Sequence, residues 1–201
     1  MFTKVAENLK KLGYQVSVFD TAAQAADYLC GEIKDTTVGF GGSITLRDMG
    51  LYDRLQETNK VAWHMYPAEG QNKDELRMLA RNTDVYLTSA NGLAETGEII
   101  NIDGNCNRIT SIQFGHPTVY LVLGANKIAP DYDAALWRAR NVAAPKNAQR
   151  LGKNTPCAAK GDRCYDCSSP ERICRGLSVL WAKPNSIQTM ELIVVEEALG
   201  Y

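Results

Sequence analysis

The sequence predicts an α/β fold, a mainly parallel twisted sheet flanked by helices. Short apolar runs alternate with stretches of helical periodicity along the chain. The apolar runs are of strand length, as in Val119–Leu123 and Leu192–Val195. One of them enters VGFGGSITLRDMG, Val38 to Gly50, a glycine-rich turn that opens a helix.

The elements follow in order. Phe2, Val5, Leu9 and Leu12 recur at helical spacing, and Gly13 ends that helix. Gln15–Phe19 is a strand, after which Asp20 or Thr21 caps an alanine-rich helix reaching about Ile33. Strands are expected at Thr37–Phe40, Lys60–Met65, Asp84–Thr88 and Thr118–Leu123, with a helix at Lys73–Arg81. A further helix at Asp131–Ala144 should stop at Pro145. Residues 151–175 break the pattern with four cysteines, two prolines and two glycines, an irregular Cys-rich insertion within a single domain spanning 1–201. Leu177–Ala182 and Thr189–Val195 then return to the sheet as two strands joined by a turn at Pro184–Asn185.

Bulk composition excludes several classes. The chain has 201 residues, 45% hydrophobic and 22% charged, ordinary for a globular protein. A net charge of −1 lacks the basic surplus of a nucleic-acid binder. MFTKVAENLKKLGYQ has no continuous apolar run, so it is not read as a signal peptide. No run approaches the roughly 20 residues of a membrane helix. The expectation is a cytoplasmic protein without membrane or nucleic-acid partners.

Glycines at Gly41 and Gly42 admit close approach of an anion to the backbone at a strand end, and Ser43 and Thr45 either donate to it or cap the helix. The spacing matches neither the P-loop nor GxGxxG. TSANGLAETGEIINIDGNCNR, Thr88–Arg108, supplies a dense polar set: Asn91, Glu95, Asn101, Asp103, Asn107 and Arg108. Within it, Asn91–Gly92 and Asp103–Gly104 are also ordinary turn pairs. GANK, Gly124–Lys127, repeats the design with Asn126 and Lys127 after a buried strand. His64 and His116 read as structural.

Cys157, Cys164, Cys167 and Cys174 are spaced C-x6-C-x2-C-x6-C. Four thiolates suit a [4Fe–4S] cluster or tetrahedral Zn2+, and spacing does not choose between them. Arg163 and Arg172 flank the set and would offset its charge; paired disulfides are the alternative. Cys30 sits at a helix end, outside the set.

VGFGGSITLRDMG, DVYLTSANGLAETGEIINIDGNCNRI, GANKIAPDYDAALWRARNVAAPKNAQRLGKNTPC, CAAKGDRCYDCSSPERIC and VVEEALG together resemble the lactate utilisation (LUD) domain family, in its stand-alone branch with a C-terminal four-cysteine motif. The resemblance implies a fold of the sugar-phosphate isomerase and CoA-transferase class (NagB/RpiA/CoA transferase-like), and a role in lactate or organic-acid utilisation. A small anionic metabolite, a carboxylate, phosphate or CoA thioester, would suit the glycine loop and the polar residues around it, and the resemblance strengthens that reading. By analogy with that fold class, Glu95 would act as nucleophile or base, with Lys127 stabilising charge. The alternatives are an iron–sulfur accessory protein serving an oxidoreductase partner, and a zinc-stabilised binding module. Arg47–Asp48 departs from a pair that is often acidic in the family, and Cys106 stands where relatives in this branch commonly carry glycine.

Overall fold

The computed structural model describes residues 2–201. α1 (Phe2–Lys11) buries Val5 and Leu9 and leads into β1 (Gln15–Phe19). α2 (Ala22–Glu32) starts at Thr21, whose hydroxyl accepts from the Gln24 N–H while the Gln24 side chain accepts from the Thr21 N–H. That reciprocal cap satisfies two donors the helix leaves open. β2 (Thr37–Phe40) runs into two short helices, α3 (Ile44–Asp48) and α4 (Leu51–Leu55), then β3 (Lys60–Ala62). α5 (Lys73–Arg81), capped by Asn72, precedes β4 (Val85–Thr88). β5 (Gly92–Ala94), β6 (Ile99–Asp103), α6 (Asn107–Ser111), β7 (Thr118–Gly124) and β8 (Ile128–Ala129) follow. α7 (Tyr132–Arg138) continues through a π-helical segment, Ala139–Ala143, into α8 (Ala144–Arg150). α9 (Pro156–Lys160) opens the Cys-rich segment, and β9 (Gly176–Leu180) and β10 (Thr189–Val195) close the order.

Six strands pair in the order β1-β10-β7-β4-β2-β3, all parallel. A parallel sheet must be covered on both faces, and the central strands are apolar on both. In β7, Val119, Leu121 and Leu123 join one core with Val5 and Leu9, while Tyr120 and Val122 join the other with Leu29, Leu46 and Leu51. The predicted α/β class thus holds, with helices on either side of a parallel sheet.

A second sheet, β8-β5-β6-β9, was not expected from the sequence. Its β5–β6 and β6–β9 pairs are antiparallel and its β5–β8 pair is parallel. Ala94, Ile100 and Ala129 pack there against Ala135 and Ala139 of the helix above. Gly92 is not a turn glycine: a Cβ at this position would lie 2.6 Å from the Ala135 carbonyl oxygen, so the strand passes under α7 only as glycine.

Three other expectations change. β9 does not pair with β10; it forms the edge of the second sheet, while β10 lies between β1 and β7. The strand at Lys60 ends at Ala62, because Trp63 turns into the core to stack on Phe40 with ring centroids 4.6 Å apart. Pro145 does not end its helix. The wider π turn just before it lets the chain pass a residue that has no N–H to donate, and the proline sits in the first turn of α8, where none is needed. Among the described residues no helix is long and apolar enough to cross a membrane.

Candidate functional site

β2, β4 and β7 are neighbours, and their carboxyl ends carry Gly41–Thr45, Ser89–Asn91 and Ala125–Lys127 to one edge of the sheet. That edge is where open parallel sheets place ligands. A cleft of about 690 Å3 opens there. Lys73 and Arg77 come to it from α5, Arg150 and Lys153 from the end of α8, and Arg172 and Arg175 from the Cys-rich segment. With Arg108 and Lys127, eight cationic side chains line the cleft among the described residues, against the two carboxylates Asp103 and Glu171. In a chain of net charge −1, this is a strong segregation of positive charge.

The glycine loop divides its labour. A Cβ at Gly41 would sit 2.5 Å from Thr88 Oγ1 and 2.9 Å from Arg108 Cγ, so interior packing requires that glycine. Gly42 lines the cleft and faces the ring of His64. The Ser43 hydroxyl accepts from the Leu46 N–H at 3.2 Å and caps α3. Thr45 is buried, and its hydroxyl accepts from Lys127 Nζ at 2.9 Å.

Arg108 organises the polar set after β4. Its guanidinium donates to the Ser89 carbonyl (3.0 Å), Asn101 Oδ1 (3.0 Å), Asn91 Oδ1 (3.2 Å) and the Ile102 carbonyl (2.8 Å), with Asp103 Oδ2 at 3.6 Å. Asp103 also accepts from the backbone N–H groups of Asn105 and Arg108. Asn91, Asn101, Asp103 and Arg108 therefore form the scaffold behind the cleft, and their polar groups are largely committed to one another. Asn107 opens α6 at the cleft wall. Asn126 fastens the C-terminal tail, its Oδ1 accepting from the Leu199 N–H at 3.0 Å.

Lys127 lies at the cleft floor, 4% exposed. Its Nζ donates to Thr45 Oγ1 and to Ser89 Oγ, at 2.9 and 2.8 Å. Burial, then the neighbouring Arg138 and Arg108, push its pKa down to about 7. The expected pairing of Glu95 with Lys127 is not formed. Glu95 follows β5, where its N–H donates to the Ala129 carbonyl; its side chain pairs with Lys4 at 3.3 Å and Asn8 donates to its carbonyl. The β5–β6 turn carries it to α1, and it does not line the cleft.

Three residues that the sequence did not assign to this cleft do line it, among them His64, read as structural, and Arg172, read as a flank of the cysteines. His64, Arg77 and Arg172 each hold a buried nitrogen without a hydrogen-bond partner among the described residues: Nδ1, Nε and Nε respectively. Burial first, then Arg77, lowers the His64 pKa to about 4, so its ring is neutral at physiological pH. No local motif links these residues. Only the topology brings them together.

The cysteine segment forms a wall of this cleft through Pro170–Ile173 and Arg175. Its four motif cysteines are half-buried free thiols, and three of the sulfurs have separate partners. Cys157 Sγ meets Thr155 Oγ1 at 3.3 Å, Cys164 Sγ accepts from Arg140 and from the Asp166 N–H, and Cys174 Sγ accepts from Arg172 at 3.5 Å. The soft donors expected for zinc or a [4Fe–4S] cluster are present. Among the described residues, however, no three metal-ligating side chains gather as such a site needs.

This geometry is matched by relationship. A family model described as LUD domain covers residues 2–195. The chain belongs to the LUD domain family. YkgG of Escherichia coli (strain K12) is 27% identical over 175 residues, covering 87% of this chain and 63% of that protein. The chain thus spans less than two thirds of that relative's length. A crystal structure of a DUF162 family protein from Deinococcus radiodurans shares the fold, with a TM-score of 0.54 at 12% identity over 96% of this chain and 95% of the other.

Proposed function

We propose that this LUD domain binds a small polyanionic metabolite of organic-acid metabolism, a carboxylate, phosphate or CoA thioester, in the cleft at the ends of β2, β4 and β7. The observation that carries the reading is the concentration of eight cations against two carboxylates in one cleft of about 690 Å3, a size suited to a small ligand. The unpartnered nitrogens of His64, Arg77 and Arg172 support it, because buried polar nitrogens without partners are destabilising until a ligand or water supplies one. Arg108 and its partners hold the floor, while Arg77, paired with Asp74, and Arg172 and Arg175, bonded within the Cys-rich segment, set positive charge at the rim. Two or more negative groups suit this spread of cations better than one.

Thermal-shift titration with pyrophosphate, citrate and lactate tests the reading. Stabilisation should follow RT ln(1 + [L]/Kd) and rank the multiply charged anions above lactate. Equal, negligible shifts for all three would contradict it.

A further inference from the structure

We infer that the Lys127 amine is a nucleophile that captures an anionic carbonyl compound, an aldehyde, ketone or oxo acid, as an imine at the cleft floor. This deepens the anion-binding reading and rests on it. The geometry around Nζ carries the inference. Thr45 Oγ1 donates its own hydrogen to the Leu199 carbonyl at 3.4 Å, and Ser89 Oγ donates to the Ala90 carbonyl at 3.4 Å. Both hydroxyls are then acceptors toward Lys127, at 2.9 and 2.8 Å. A neutral amine has two hydrogens, and both are used. Its lone pair is left for the cleft that the residue lines.

No carboxylate is paired with this lysine among the described ion pairs. The charged groups that act on it are the cations Arg138, at the end of α7, and Arg108, in α6. A buried ammonium held by two neutral hydroxyls, with no carboxylate paired to it, lacks a counter-charge, so the site favours the free base that a carbonyl requires. A structural lysine would be expected to hold a carboxylate or reach solvent.

The step balances without any further reactant. The Nζ lone pair forms a bond to the carbonyl carbon as the C=O π electrons move to oxygen. Transfer of an amine proton to that oxygen gives a carbinolamine, and loss of water, with the second proton, leaves the C=N bond. The rim arginines hold the anionic end of the substrate meanwhile, which fixes the carbonyl over Nζ. The imine is an electron sink for bond making or breaking at the adjacent carbon.

Pyridoxal 5′-phosphate is the probe, an aldehyde carrying a phosphate, with sodium borohydride to fix any imine and peptide mass spectrometry to place it. Pyridoxine 5′-phosphate, an alcohol that cannot form an imine, reports binding alone by calorimetry. The expected result is one reduced adduct per chain on Lys127 at pH 7, with a labelling midpoint near that pH. An ordinary surface lysine, with a pKa near 10.4, holds a free-base fraction roughly a thousandfold smaller there. Binding of pyridoxine 5′-phosphate with adducts absent from Lys127, or scattered over surface lysines, would overturn the imine and leave the cleft reading intact. Failure of both probes to bind would remove both.

Discussion

Arg108 shows how a residue that looks like a ligand-binding cation is used by the protein itself. It is engaged by two backbone carbonyls, two asparagine amides and Asp103, so its loss strands several buried acceptors at once. Arg108→Met should destabilise the fold by about 3–5 kcal/mol in urea denaturation, and Arg108→Lys should not restore it, because a point charge cannot span the fork. Cys106 gives a smaller effect of opposite sign. It stands at the N-cap of α6 at φ 61°, the left-handed region that glycine favours, and its side chain makes no cap bond. Cys106→Gly should raise stability by about 1 kcal/mol, read as a shift in denaturation midpoint. Lys127 makes stability depend on pH. Its folded pKa, about 7, lies below the ordinary lysine value of 10.5. The unfolded chain therefore binds the extra proton between those values, and stability rises with pH across that window. Lys127→Met should flatten the rise, and an unchanged slope would show the amine to be ordinary.

At the scale of elements, β1, β2 and α5 are read from the sequence at the residues where the structure has them, since their apolar spacing and caps are local. The second sheet was not legible. β5 has three residues and β8 two, and their pairing depends on partners far along the chain. The cysteine segment was legible as an irregular unit but not as a cleft wall, because only its placement shows that Arg172 and Arg175 enter the cleft. Arg172 also bonds back to the segment, donating to the Cys167 carbonyl at 2.9 Å and to Cys174 Sγ at 3.5 Å. Alkylation of Cys174 should displace that guanidinium and weaken pyrophosphate binding several-fold, measured by calorimetry before and after iodoacetamide, with the Cys174→Ala variant as the unmodifiable control.

On the scale of the whole molecule, a near-neutral chain gathers its cations from Lys73 to Arg175 around one sheet edge. The glycine loop and the run to Arg108 pointed to that edge from sequence alone, and Lys127 was legible as a cation beside it. The rim was not, because side chains about a hundred positions apart carry no common pattern until the parallel order β2-β4-β7 folds them together. Glu95 was misplaced for the same reason: a polar residue near the others in sequence is carried to α1 by its hairpin. Binding through such a rim should weaken as salt rises, since exposed charges are screened over about 10 Å at 0.1 M. The measurement that tests the central claim most directly is calorimetric titration of pyrophosphate into the intact protein and into the Arg172→Ala/Arg175→Ala variant at low salt. The cleft predicts saturable one-to-one binding that weakens tenfold or more in the variant, whose thermal unfolding stays close to that of the parent. Absence of binding, or equal affinity in both proteins, would contradict it.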